Sequence, residues 1–306
     1  MSMEMKKIAK DIDLGDNIKL VYQEPEVFSK YHSVYHCKKY GDYYFSSLES
    51  AGVEVAKYLD AGYFILKGDK IIGGVFIKPN FMADLFVVPP FNDFDYIADK
   101  LLSYLKTISN KSEKIILREI VEEHVPFYQS KGCIIDGNGF WMIRPTERMN
   151  NIIPDGYEAK PILKEDKNEI AEVIMTSYKA NPAIKSVRSK EDYIKHVENF
   201  FGYTKDNNVL YESSRVVINK GTNEIVGVCL HMEFEDFPLI MSFTVRPDHQ
   251  GKGIGSYLLR HSISCTSEVY NATRLYVDNH NDAIKIYEHL GFIRNRTLND
   301  MYLLNE

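Results

Sequence analysis

The chain has 306 residues, 44% of them apolar and 26% charged, which is the composition of an ordinary soluble protein about two domains long. Its net charge of −6, with no basic run longer than a pair such as Lys6-Lys7 or Lys38-Lys39, offers no global attraction for nucleic acid or an anionic membrane. Four cysteines (Cys37, Cys133, Cys229 and Cys265) stand far apart without C-x-x-C spacing, so neither a disulfide framework nor a zinc cluster is expected, and no metal is assigned.

The first residues lead into no hydrophobic stretch, and the apolar run Ile71–Ile77 is too short to cross a bilayer. A cytoplasmic protein is therefore expected. Tyr63 to Ile77 reads as strand, Gly68-Asp69 turn, strand. Leu85–Val88 is strand-like and ends at Pro89. Ile97, Leu101, Leu105 and Ile108 then recur at helical spacing, and Lys114–Ile120 returns to a strand pattern. Breakers gather in Pro145–Gly156, where Asn150-Asn151 and Pro154-Asp-Gly stand between strand-like segments. This predicts one domain over 1–150 and a second over 151–306.

The second half opens with Tyr157–Ile162, and helices are predicted over about Lys164–Lys179 and Ser189–Phe201. Arg215 to Leu230 reads as another hairpin. An apolar strand, Met241–Val245, ends at Pro247, and Gly251, Gly253 and Gly255 follow. Ile254, Tyr257, Leu258, His261 and Cys265 share one helical face directly afterwards. Thr273–Val277 has the alternation of a strand, Asn281 or Asp282 can cap a last helix, and Ala283, Ile286, Tyr287 and Leu290 form its stripe before Gly291.

The two halves repeat. Gly73 answers Gly227, Pro89 answers Pro247 and Tyr128 answers Tyr287, at offsets of 154, 158 and 159 residues. They part company at the turn after the proline. The first copy has Pro90-Phe-Asn-Asp-Phe-Asp95, with no glycine and two aspartates, and a bulky anionic turn cannot cradle a pyrophosphate. The first copy is read as having lost coenzyme binding, leaving it as a wall of a substrate site or a structural platform.

A glycine-rich turn feeding a helix N-terminus presents several backbone N–H groups and the positive end of the helix dipole, an arrangement that binds phosphate. Neither frame from Gly251 or Gly253 gives G-x-G-x-x-G, and no P-loop run exists. Gln250-x-x-Gly253-x-Gly255, preceded by Val245-Arg246-Pro247, resembles instead the coenzyme A loop of the GNAT (GCN5-related N-acetyltransferase) superfamily. The block from Leu275 to Phe292, strand then Asn…Ala…Tyr…Gly-Phe, resembles that family's second conserved block. The likeness covers roughly residues 156–304. It departs at His280, where the family usually has asparagine, with Asn279 and Asn281 on either side.

The resemblance implies an α/β (α+β) fold of two tandem GNAT-like domains, each a mixed, mainly antiparallel sheet flanked by helices, the first degenerate. It implies acetyl-CoA as co-substrate, held by Phe243, Thr244, Val245, Gln250, Gly251, Lys252, Gly253, Ile254, Gly255, Ser256 and Asn279 or Asn281, with Arg246 near the phosphates. The N–H near Val245 would meet the thioester oxygen. Tyr287 matches the family's general acid for the departing thiolate, although it also lies on its helix's apolar stripe. Glu233, Glu235 and Asp236, in the hairpin before Met241, are candidates for the base, for attraction of a cationic substrate, or for a solvated acidic turn; His231 and His249 are weaker candidates. The expected reaction is direct acetylation of a primary amine, a small cationic one. The alternative is a non-catalytic acyl-CoA-binding or regulatory protein.

Overall fold

The computed structural model describes residues 10–38, 47–58, 62–182, 184 and 186–305. Lys6, Lys7 and Lys39, from the basic pairs, lie outside the described residues, as does the thiol of Cys37. Two units form: residues 1–139 with 295–306, and residues 140–294.

The first unit begins with β1 (Asp11–Asp13), β2 (Ile18–Tyr22), α1 (Pro25–His32), a π-helical turn (Ser33–Lys38) and α2 (Leu48–Tyr58). The expected hairpin is β3 (Gly62–Lys67) and β4 (Lys70–Lys78), joined by Gly68-Asp69 with Lys67 opposite Lys70. β5 (Phe81–Val87), α3 (Phe94–Ile108), β6 (Ile115–Val121) and α4 (Val125–Ser130) follow. The Asp93 carboxylate accepts from the Tyr96 amide and starts α3. Phe94, Ile97, Ala98, Leu101, Leu102 and Leu105 then bury one face of it. β7 (Ile134–Pro145) leads into the second unit. There follow β8 (Tyr157–Lys160), α5 (Lys167–Ala180), α6 (Lys190–Tyr203), α7 (Asn208–Ser213), β9 (Arg215–Asn219), β10 (Glu224–Phe234), β11 (Phe237–Val245), α8 (Ile254–Thr266), β12 (Ala272–Asp278), α9 (Ile284–His289) and β13 (Ile293–Leu303).

Strand order is β1-β2-β3-β4-β5-β6-β13 in the first unit and β7-β12-β11-β10-β9-β8 in the second. Antiparallel pairs dominate both. β5 with β6 and β11 with β12 run parallel. The repeat is therefore structural: in each half the matched glycine faces the last residue of the next strand, Gly73 opposite Val87 and Gly227 opposite Val245.

The single cut near residue 150 differs from the observed division. The chain's last strand belongs to the first unit, with Leu298 opposite Val121 and Leu303 opposite Ile115. Such pairing over long sequence separation leaves no local composition signal. α7 went unpredicted because six residues, about a turn and a half, carry little periodicity. In α8 the buried stripe is Ile254, Leu258, Leu259 and Ile263, so Tyr257, His261 and Cys265 lie at its half-buried margin. No helix among the described residues is long and apolar enough to cross a membrane.

Candidate active site

The second unit carries a cleft of about 870 Å³, bounded by β11, β12, the turn before α8, and residues of α5, α6 and α9. It exists because two neighbouring parallel strands part. Leu239 pairs with Arg274; beyond that point Ile240–Val245 and Leu275–Asp278 line the cavity instead. A β-bulge accompanies the opening: Leu230 faces Ser242 and His231 faces Ile240, so Met241 is the extra residue.

Past the bulge the ladder fixes which amides are available. Arg246 donates its N–H to the Val226 carbonyl at 2.8 Å, so alternation turns the N–H groups of Val245 and Phe243 away from β10, toward the opening. The Gln250 side-chain amide donates to the Val245 carbonyl at 3.0 Å and ties the glycine turn to the strand. Gly251 and Gly253 have φ of 74° and 85°, where a β-carbon is strained, and Gly253 caps α8. At Gly255 the constraint is space, since a β-carbon would come within 3.1 Å of the Phe243 ring. Free N–H groups of the first turn of α8 thus meet the cleft alongside the strand amides.

Ten of the sequence-predicted coenzyme residues line this one cavity: Phe243, Thr244, Val245, Gln250, Gly251, Gly253, Ile254, Gly255, Ser256 and Asn281. Two do not. The Lys252 ammonium folds back to donate to the Asp248 carbonyl at 2.9 Å, leaving that residue only its backbone to offer. Arg246 is likewise engaged, with Asp248 and Glu224. Asn279 also lies off the cavity lining, whereas Asn281 is on it, accepting from the Ala283 amide at 3.0 Å and the Asn181 side chain at 3.3 Å. His280, between them, has a φ of 72°; this left-handed residue sets the course of the turn.

Tyr287 lines the cleft, its ring 5.7 Å from that of Phe243 and 5.8 Å from that of Phe292. Burial raises its phenol well above the ordinary value, so it is protonated at neutral pH. The hairpin carboxylates lie off the cavity lining. The Glu235 side chain is fully buried against Arg274, with Nη1 to Oε2 at 3.2 Å, and neither residue lines the cavity. Glu233 accepts from Asn207 at 2.9 Å and Tyr270 at 2.7 Å, also off the cavity. These charges hold the hairpin together, as hydrogen-bonded carboxylates commonly do. His231 is buried behind the strand with Ser262 at 2.8 Å, and burial pushes it down to about 3. His249 reaches the cleft, with its Nδ1 2.9 Å from the Tyr157 hydroxyl.

A histidine that the sequence did not single out occupies the better place. His196, on α6, lines the cavity with Nε2 2.8 Å from the Ser242 hydroxyl. Burial, reinforced by Arg188, lowers its pKa, so its ring is neutral at physiological pH. The Ser189/Asp192 capping box starts the helix that carries it. Ser177, Tyr178, Tyr193 and Arg188 complete this end of the cavity, and burial raises the Tyr178 phenol. A capped amphipathic helix was legible; that His196 meets a strand residue 46 positions on was not.

A parted pair of parallel strands, a bulge beside it and a glycine turn at a helix start together frame this cleft. Residues 209–294 match the family model for the acetyltransferase (GNAT) domain. That match lies within the second unit, and the fold of the chain is similar to that of tandem GNAT proteins. The chain is similar in structure to a GCN5-related N-acetyltransferase from Sphaerobacter thermophilus (TM-score 0.68, 16% identity, 95% of this chain and 96% of that one). A tandem GNAT protein from the clavulanic acid biosynthesis pathway has a TM-score of 0.60 at 11% identity, over 97% of this chain and 98% of that one. No curated protein matches the sequence.

Proposed function

We propose that the second unit transfers the acetyl group of acetyl-CoA to the primary amine of a small molecule by direct attack. The observation that carries this reading is the convergence on one cleft of the Gly251–Ser256 turn, the outward amides of Phe243 and Val245, Tyr287 and His196. The turn and the start of α8 would hold the pyrophosphate. The strand amides would lie along the pantetheine arm, with the Val245 N–H donating to the thioester oxygen as charge develops there. His196, neutral and oriented by Ser242, would accept the ammonium proton directly or through water. The phenol of Tyr287 would protonate the departing thiolate. Holding amine and thioester in contact supplies much of the remaining acceleration.

The hairpin carboxylates that favoured a cationic acceptor are off the cavity. Its charged lining is Arg188, Asp278 and Asp282, which suits an amine bearing an anionic group as well as it suits a simple cation. Free-thiol release from acetyl-CoA, measured with and without a panel of amines, tests the proposal. Acceleration by an amine, with acetyl recovered on its nitrogen, is the expected result. Saturable acetyl-CoA binding without acceleration by any amine would favour an acyl-CoA-binding regulator.

A further inference from the structure

The parting of parallel strands that opens the cleft in the second unit recurs in the first, with different contents. Phe81, Met82 and Ala83 of β5 pair with Ile116, Leu117 and Arg118 of β6. The next residue on each strand is acidic, Asp84 and Glu119. Both are in the left-handed region, with φ of 54° and 57°. On the other side of β5 the register against β4 shifts between Gly74 and Phe76, so a bulge falls at Asp84-Leu85. Two strained carboxyl-bearing residues side by side are expensive, and such strain collects where a site requires it.

Two histidines stand over this point. His32 ends α1, and His36 follows four residues later in the π-helical turn, a distortion found often at functional sites. Both imidazoles are buried, their rings stacked 4.8 Å apart. Each Nε2 faces a different oxygen of one carboxylate, His32 at 2.9 Å from Asp84 Oδ2 and His36 at 3.8 Å from Oδ1. The three donor atoms all lie within 4.8 Å of one another. Phe28, Phe76 and Phe86 surround His32, their rings 6.0, 5.4 and 6.3 Å from its own. Apolar walls of this kind strengthen any ionic contact they enclose.

We propose that His32, His36 and Asp84 form a binding site for one divalent transition-metal ion of the zinc class. Two imidazoles and a carboxylate are the donor types such an ion takes at about 2.0–2.2 Å, and modest closure of the three atoms around it completes that geometry. Glu119 lies beside Asp84 to supply the fourth ligand or hold it. The adjoining cavity, lined by His36, Glu119 and His124, is only about 10 Å³, room for about one water and no substrate. The ion is therefore structural, pinning α1 and its π-helical turn to β5. The cysteine spacing that argued against a metal was silent here, because the donors are histidine and an aspartate 52 residues further on.

The test is titration of the tag-free, chelator-treated full chain with Co²⁺ and then Zn²⁺. One equivalent of Co²⁺ should bind with a visible d–d band that Zn²⁺ abolishes, and His36→Gln and Asp84→Asn should each weaken binding at least tenfold. Absence of saturable binding overturns the proposal, as does full-strength binding in both variants. If neither variant folds, the imidazole proton resonances of the unsubstituted chain decide. Zn²⁺ must shift those of His32 and His36, and unmoved signals reject the site.

Discussion

The imidazole of His196 on α6 meets the hydroxyl of Ser242 on β11 at 2.8 Å, inside the cleft of the second unit. The contact puts a neutral imidazole beside the strand proposed to carry the thioester arm, and the predictions for catalysis start from it.

Replacing His196 with Ala should lower kcat by about 10²- to 10⁴-fold, the usual range for a positioned base. Acetyl-CoA binding should hardly change. The pH profile gives an independent check. A base works when deprotonated, and burial lowers the pKa of His196, so activity should be present at neutral pH and fall only below the ordinary histidine value of about 6.5. Ser242→Ala should move that acid limb with a smaller loss of kcat. An unchanged limb in both variants would remove His196 from the mechanism.

Tyr287→Phe tests the acid. The ring keeps its contacts with Phe243 and Phe292, so the unfolding midpoint should stay within a few degrees of the parent. Loss of kcat by about tenfold or more, with KM for acetyl-CoA nearly constant, is the expected pattern. Unaltered kcat would leave the tyrosine as a packing residue.

The glycine turn should respond to both strain and bulk. Gly253→Ala forces a β-carbon into a left-handed cap, at a cost of about 1–2 kcal/mol. Gly255→Val pushes against Phe243. Both should weaken acetyl-CoA binding at least tenfold in calorimetric titration. Retained affinity in both would mean that the pyrophosphate is held elsewhere.

Glu235 should matter for stability rather than for turnover. Removing one partner of a buried ion pair typically costs about 3–5 kcal/mol, so Glu235→Gln should shift denaturant unfolding strongly. Glu233→Gln, at a more exposed site, should cost far less. The fraction of either variant that stays folded should keep the parent kcat. A selective loss of kcat would return the hairpin carboxylates to the active site.

Much of the site was legible because its grammar is local. Glycines at 251, 253 and 255 between a strand and a helical stripe fix a turn whose amides must face outward, whatever surrounds it. Tyr287 and the Ala283–Leu290 stripe announce a short helix in the same way. The roles of charged residues were not legible. Glu233, Glu235 and Lys252 look available in the sequence, yet Tyr270, Arg274 and the Asp248 carbonyl claim them. Asn279 and Asn281 were indistinguishable until a left-handed His280 turned one of them onto the cavity wall.

By itself the sequence determined the repeat, the strand–turn–helix succession around Pro89 and Pro247, and the lack of glycine in that turn of the first copy, since each follows from periodicity and backbone constraints within a few residues. Tertiary structure alone decided that the last strand joins the first unit, that His196 meets Ser242, and that His32 and His36 converge on Asp84. Those relationships join residues dozens of positions or more apart, and only chain folding sets the distances between them.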